Sequence, residues 1–315
     1  MDYRNAGVDI EKSRRVVEKI GRWVEDIGGK IGHFAGGMTF NSGNFKIPKI
    51  LVTIDGVGTK ALIASEMRMW EIIGRDVVHH CINDVAVCGA EPLMFVDYIA
   101  MGTLEEEVVE KVIQGVINSC RDWGVILAGG ETAEMPDVYL PRALDIVGCL
   151  IGVVEEEEFI EGKGVQPGDL LIGFPSTGLH TNGYSLARKI IARKGWSYND
   201  FIEELNATLG EALLAEHRCY LPEIRRLKSN YHPKAFAHIT GGGLIANTIR
   251  VIPKGMKLDV MWGSWSVPPI FLLLQEWGEV TEDEMRRVFN LGVGLIAVLD
   301  ATEGKRFLSE PSNNI

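Results

Sequence analysis

His80-Cys81-Ile82-Asn83-Asp84-Val85-Ala86-Val87-Cys88-Gly89-Ala90-Glu91-Pro92 is the stretch on which the reading of the fold turns. It closes an apolar segment, residues 71–88, whose Ile72, Ile73, Val77, Val78, Ile82 and Val85 recur at helical spacing. Gly89 to Pro92 must break that helix, and Pro92 releases a strand over 93–101. Asp84 therefore sits near a helix end, where it could be no more than a solvated carboxylate. Two further loops give it company. Asp55-Gly56-Val57-Gly58-Thr59-Lys60 follows a strand predicted at 50–54, and Gly129-Gly130-Glu131-Thr132-Ala133-Glu134-Met135-Pro136 follows one at 125–128. Three apolar segments each deliver a carboxylate to a glycine-rich turn, which is the material of a metal–nucleotide site.

Working outward, residues 9–27 carry apolar residues at helical spacing and end at a glycine-rich stretch, 28–37. Thr103 with Glu106 three residues on reads as the cap of a helix running to about Asp122, closed by Gly124. A strand is expected at 143–154, followed by an exposed acidic connection, 155–158. The second half restarts with a strand at 170–174, the loop 176–183, a helix at 184–193, a longer helix over about 210–228, and a strand at 235–239. The loop Thr240-Gly241-Gly242-Gly243 and a helix toward Arg250 follow. Gly162, Gly164, Pro167 and Gly168 cluster at a boundary, giving domains 1–162 and 163–315. Strand and helix alternate without the regularity of a doubly wound sheet. The expected class is a two-domain α+β protein, with a mixed or antiparallel sheet in the N-terminal domain and an α/β, sandwich-like C-terminal domain.

Composition excludes several classes. With 32 basic and 43 acidic side chains the chain carries a formal charge of −11, so no nucleic-acid partner is expected. The longest apolar runs, 146–154 and 291–299, are too short to span a bilayer and read as buried strands, so no membrane partner is expected either. The N-terminus lacks the basic-then-apolar pattern of a signal peptide. Five scattered cysteines (Cys81, Cys88, Cys120, Cys149, Cys219), without a Cys-x-x-Cys pair, read as reduced packing thiols and point to the cytoplasm.

In the loop after Asp55, glycines would let backbone N–H groups approach an anion, Thr59 and Lys60 add donors, and Asp55 could hold a metal; an ordinary strand-to-helix turn is the alternative. Asp55, Asp84 and Glu131 would suit Mg²⁺ on ATP phosphates if their loops converge, and local capping would explain each otherwise. His79, His80 and Cys81 suggest zinc, but no second cluster completes a tetrahedral set, although His80 and Asp84 share a helix face. Loops 176–182 and 240–243 each follow a strand and precede a helix, a placement suited to anions, and His180 in the first is a candidate ligand contact. Ser176 with His180 makes a poor nucleophile–base pair, because no Gly-x-Ser-x-Gly turn surrounds the serine. Trp262 and Trp265 read as core or interface.

Taken in order, these segments resemble the phosphoribosylformylglycinamidine cyclo-ligase (aminoimidazole ribonucleotide synthetase) family. The resemblance runs through Tyr3-Arg4-Asn5-Ala6-Gly7-Val8-Asp9-Ile10, the Asp55–Lys60 loop, Asn83-Asp84 with Gly89-Ala90-Glu91-Pro92, and the 129–136 loop. It continues through His180-Thr181-Asn182-Gly183-Tyr184-Ser185-Leu186, Thr240-Gly241-Gly242-Gly243 with Asn247 and Arg250, and Phe289-Asn290-Leu291-Gly292-Val293-Gly294. It implies ATP- and Mg²⁺-dependent closure of formylglycinamidine ribonucleotide to aminoimidazole ribonucleotide, ADP and phosphate in purine biosynthesis. Phosphoryl transfer to the formyl amide oxygen would give an iminophosphate, which the amidine nitrogen attacks as phosphate leaves. It also implies a homodimer joined through the N-terminal sheets. Carried over by position, Asp55, Asp84 and His180 would be catalytic, with Asp55, Asp84 and Glu131 on the metal. Gly56, Gly58, Thr59, Lys60, Gly129, Gly130, Glu131 and Thr132 would serve ATP, under cover of the N-terminal glycine-rich segment. His180, Asn182, Thr240, Gly241, Gly242 and Gly243 would face the substrate and its phosphate.

Two departures stand out. Ala246 replaces the acidic residue common before Asn247, and the chain ends at Ile315, where the family usually continues through another element. Related ATP-dependent enzymes (thiamine-monophosphate kinase, selenophosphate synthetase, a hydrogenase-maturation carbamoyl dehydratase) would share the ATP-binding half. Residues 28–37 lack the reactive cysteine of the second, and Ile315 is not the terminal cysteine of the third. A non-catalytic nucleotide-binding paralogue is the remaining alternative.

Overall fold

A computed structural model describes residues 15, 18–21, 23, 24 and 35–310. The expected N-terminal helix, the Tyr3–Ile10 motif and most of the glycine-rich 28–37 stretch lie outside these residues. The chain divides into two compact units, Met1–Val85 with Glu91–Glu156, and Ala86–Ala90 with Glu157–Ile315.

The first unit contains β1 (Pro48–Gly56), α1 (Lys60–Met67), α2 (Trp70–Ala86), β2 (Glu91–Met101), α3 (Glu106–Trp123), β3 (Ile126–Glu134) and β4 (Leu144–Glu155). The sheet order is β1-β4-β2-β3, with β4 antiparallel to both neighbours and β2 parallel to β3, so the sheet is mixed, as expected. In α3, Val108, Val109, Val112, Ile113, Val116, Ile117 and Cys120 form one buried stripe, and Gly124 in the left-handed region ends the helix. The cap differs from the expectation. Thr103 does not cap; Glu105 occupies the cap position, and Glu134 accepts the Leu104 N–H at 2.8 Å. Gly74 of α2 and Gly115 of α3 permit close helix contact: a Cβ on either would lie 2.0 Å from a carbonyl oxygen of the other helix, Val112 and Glu71 respectively.

β3 corrects a second expectation. The 129–134 stretch is not a loop but the C-terminal half of a strand, Val96 pairing with Gly129 through Met101 with Glu134. The other sheet face is unusual. Ile50, Val52 and Ile54 alternate along β1 and are 51%, 65% and 69% exposed, while Leu51, Thr53 and Asp55 turn inward. A strand of a solitary sheet would present the reverse pattern.

The second unit holds β5 (Leu170–Pro175), α4 (Tyr184–Lys194), the short pair β6 (Phe201–Ile202) and β7 (Ala207–Thr208), α5 (Leu209–Leu213), α6 (Leu221–Asn230), β8 (Ala235–His238), α7 (Gly243–Thr248), α8 (Pro269–Gly278), α9 (Glu282–Val288), β9 (Val293–Leu299) and α10 (Ala301–Ser309). β9 is central in an antiparallel sheet, β5-β9-β8. All seven of its residues are buried, which requires cover on both faces. Phe307 of α10 packs on Phe174, and a separate cluster joins Val165, Ile239, Leu244 and Ile296 to Trp262 and Trp265, so the two tryptophans are packing residues. The single helix expected over 210–228 is two. The chain leaves the helix after Leu213 to carry His217 and Tyr220 inward, and Pro222 restarts it. All five cysteines are free thiols, and among the described residues no helix is long and apolar enough to cross a membrane.

Candidate active site

β1 and α2 run against each other, and their polar residues interlock. Residues two apart on a strand are separated by about 6.7 Å, and residues four apart on a helix by about 6 Å, so the two periods nearly match. Thr53 Oγ1 donates to Asp84 Oδ2 at 3.2 Å, and Asp55 Oδ2 lies 3.0 Å from His80 Nε2. Beyond the turn, Lys60 Nζ lies 2.5 Å from Asp76 Oδ2, both side chains fully buried. Asp76, His80 and Asp84 thus form a stripe at i, i+4 and i+8 that receives, in reverse order, Lys60, Asp55 and Thr53.

The electrostatics follow. Burial works against a charged Asp55, but the contact with His80, the imidazolium charge and the N–H of Gly56 (2.7 Å to Oδ1) outweigh it. The repulsion of Asp84 does not reverse the balance, and the Asp55 pKa is lowered. Burial likewise opposes a charged His80, yet the bond to Asp55 and the charges of Asp84, Asp55 and Asp76 raise its pKa. Asp55 remains partly accessible, its side chain 41% exposed, and Asp84 is half-buried. Two neighbouring carboxylates, each with a polar side chain of the opposite element against one oxygen and open on another side, fit the needs of a hard divalent cation.

Other expected residues are placed differently. Lys60 has its charge matched by Asp76 inside the unit rather than displayed at the turn. Glu131 does not join Asp55 and Asp84. Asp55, Gly148, Asp97 and Gly130 form one row across the sheet, whereas Gly56, Val147, Tyr98 and Glu131 form the next. Adjacent rows face opposite ways, so Glu131 lies three strands from Asp55 and projects from the face carrying Ile54. Gly130 is glycine for a local reason: a Cβ there would lie 2.6 Å from the Asp97 carboxylate. Asp97 is enclosed, and burial lifts its pKa to about 7. The three residues named for zinc have different partners: His79 accepts from Trp123 Nε1 at 2.9 Å, His80 pairs with Asp55, and Cys81 Sγ donates to the Gly148 carbonyl.

In the second unit the two glycine-rich loops adjoin. A Cβ on Gly241 would lie 3.1 Å from Asn182 Oδ1. Asn247 shapes the 240–243 loop through Nδ2 bonds to the carbonyls of Thr240, Gly241 and Gly243. Asn290 does the same for the 176–178 turn: Nδ2 donates to Gly178 O, and Oδ1 accepts from Ser176 Oγ and Gly292 N. His180 is buried in the left-handed region, with Nε2 accepting the Thr177 N–H at 3.3 Å. His217 stacks on it with ring centroids 4.1 Å apart, and His217 Nε2 lies 3.1 Å from His238 Nε2. These three rings could gather a metal ion on distance alone. A neutral His180 that accepts on Nε2 carries its proton on Nδ1, however, and then has no lone pair to give. Ser176 Oγ donates to Asn290 Oδ1 at 3.0 Å.

Sequence reasoning missed His80, Asn247, Asn290, His217 and Asp97 as organising residues. His80 left a local signal, four residues ahead of Asp84, and Asn247 and Asn290 stood in the motifs that carry the resemblance, without the partners they brace.

The AIR synthase related protein N-terminal domain matches residues 43–154 and the corresponding C-terminal domain matches 166–312. The chain is 40% identical over 308 residues to the chloroplastic/mitochondrial phosphoribosylformylglycinamidine cyclo-ligase of Vigna unguiculata, covering 98% of this chain and 77% of that protein. It is 41% identical over 316 residues to the same enzyme of Thermoanaerobacter pseudethanolicus, covering 98% and 93%. Two solved structures share the fold. Hydrogenase maturation protein HypE in complex with ATP has a TM-score of 0.60 at 16% identity, covering 93% of this chain and 80% of that one. Thiamine-monophosphate kinase from Stenotrophomonas maltophilia has a TM-score of 0.60 at 16% identity, covering 95% and 90%. The chain belongs to the phosphoribosylformylglycinamidine cyclo-ligase family.

Proposed function

We propose that the Asp55–Asp84 pair between β1 and α2 is the metal–nucleotide centre of the reaction for which the family is named. The chain is an ATP-dependent ligase of purine biosynthesis, closing formylglycinamidine ribonucleotide to aminoimidazole ribonucleotide with release of ADP and phosphate. An amide oxygen leaves poorly, and phosphorylation converts it to a good leaving group. Little covalent chemistry then falls to the protein, whose share is positioning and charge control. Mg²⁺ bound at this centre would neutralise charge on the transferring phosphoryl group. Asp55 and Asp84 would hold it, and the backbone of Gly56–Thr59 would receive phosphate oxygens. Asn182 and the Thr240–Gly243 loop would receive the ribonucleotide, with His180 fixing the turn that carries Asn182. Lys60 enters as the anchor of the nucleotide loop rather than as a phosphate ligand.

The observation that carries this reading is the convergence of Asp55 and Asp84, 29 residues apart in sequence, onto one braced pair. Substrate-dependent ADP release, assayed with formylglycinamidine ribonucleotide, ATP and Mg²⁺, tests it. Nucleotide binding without such release would overturn it in favour of a non-catalytic paralogue.

We also propose a cytoplasmic homodimer. The apolar β1 face of Ile50, Val52 and Ile54 suits a second copy of the same sheet. Ile54→Lys is expected to shift the molar mass measured by light scattering from two chains toward one. An unchanged mass would remove this face from the interface.

A further inference from the structure

We propose that His80 is a positioning residue that sets the Asp55 carboxylate for the divalent cation, an inference that rests on the metal–nucleotide reading above. Asp55 is held from two directions. The Gly56 N–H reaches Oδ1 at 2.7 Å, and His80 Nε2 stands 3.0 Å from Oδ2. Each carboxylate oxygen offers two acceptor positions, so each keeps one for a metal while the plane of the group is fixed. The Gly56 contact alone, from the adjoining residue, cannot fix that plane, because χ1 and χ2 of Asp55 turn with the same short loop. His80 can, because it is buried in the middle of the 17-residue α2 and 3% exposed.

The stripe explains why the support comes from position 80. Asp84, the other carboxylate, lies one turn further along α2, so one rigid helix carries both a metal ligand and the group that aims its partner ligand. The Thr53–Asp84 contact locks the same register from β1, and the buried Lys60–Asp76 pair locks it beyond the turn. His80 therefore couples the angle of Asp55 to the position of Asp84. Groups that orient metal ligands in this way are worth about 10- to 100-fold in metal affinity.

The test compares the parent chain with His80→Leu and His80→Gln. Gln places an amide N–H about where Nε2 stands, and Leu places none. Mn²⁺ binding in the presence of a non-hydrolysable ATP analogue, followed by electron paramagnetic resonance, gives a readout separate from turnover; Mg²⁺ titrations of ADP release give the kinetic one. His80→Leu is expected to weaken Mn²⁺ binding about 10- to 100-fold and raise half-saturating Mg²⁺ by a similar factor, with a smaller fall in kcat at saturating metal. His80→Gln should recover most of the loss. Parent-like Mn²⁺ binding by His80→Leu overturns the proposal, as does a His80→Gln variant no better than His80→Leu. Should His80→Leu fail to fold, His80→Asn, polar but too short to reach Asp55, replaces it against His80→Gln under the same criteria. A parent chain that binds no Mn²⁺ with the analogue removes the metal–nucleotide reading and this proposal together. Normal parent binding with no His80 effect removes this proposal alone.

Discussion

The turn after β1 and the two glycine-rich loops of the second unit resemble each other as sequence and differ in what holds them. Around β1, ionisable side chains from a 17-residue helix do the bracing: Asp76 on Lys60, His80 on Asp55, with Asp84 taking the hydroxyl of Thr53. In the second unit neutral amides do it. Asn247 gathers three carbonyls of the 240–243 loop, and Asn290 ties Gly178, Ser176 and Gly292 together. Carboxylates held against a cation suit a site whose ligand brings metal and phosphates, since their charge becomes useful when the metal arrives. Loops held by amides leave backbone groups in place without adding a field, which suits recognition of an anion by N–H groups.

The largest expected effect breaks the charged side. Asp84→Asn keeps the shape and the acceptor for Thr53 but removes a metal-ligating charge. ADP release should fall on the order of 10³-fold, which is about 4 kcal/mol of transition-state stabilisation. Thermal unfolding should stay within a few degrees of the parent. Turnover near normal would take Asp84 out of the centre and leave the contrast without its functional half.

Asn290→Ala probes the neutral side. It strips a buried Asn of three bonds and strands Gly178 O and Gly292 N, at a cost of about 2–4 kcal/mol in urea unfolding. The KM for the ribonucleotide should rise while half-saturating Mg²⁺ stays where it was. A shift in the Mg²⁺ curve would show that the two kinds of bracing do not separate the two ligands.

Much of this was legible in the chain, and the omissions share one cause. The helix ending near Asp84, the Gly124 stop and the strand before Asp55 follow from local periodicity and glycine placement. Glu131 looked equivalent to Asp55 because each is a carboxylate beside glycines after an apolar run. Which face of the sheet it takes depends on the pairing of β3 with β2, and that register is not local. Gly129-Gly130 read as a loop because glycine disfavours strands, yet Gly130 makes room for the Asp97 carboxylate across the pair. The break of the 210–228 helix carries His217 and Tyr220 to buried partners that the helical spacing could not announce. His80 was visible as a neighbour of Asp84 on the helix, but its partner lies on another element.

The smallest expected effect concerns Asp97, which lies in the same sheet row as Asp55 and has the opposite fate. Asp55 has His80 beside it and a lowered pKa; Asp97 is buried, and its pKa is lifted to about 7. A carboxyl whose folded pKa exceeds its unfolded value of 3.8 binds more protons folded than unfolded between those values. Stability then falls as pH rises from about 4 to about 7, and levels off above. The full span sets an upper limit of about 4 kcal/mol, at 1.36 kcal/mol per pH unit. Asp97→Asn carries no such proton, so its advantage over the parent in urea unfolding should be near zero at pH 4 and reach about 1–3 kcal/mol at pH 8. His80 and Asp55 titrate in both proteins and cancel in the difference. A constant difference between pH 4 and pH 8 would mean that Asp97 is charged in the folded chain after all. The contrast within the row would then come from shape rather than from a difference in how the two carboxyls titrate.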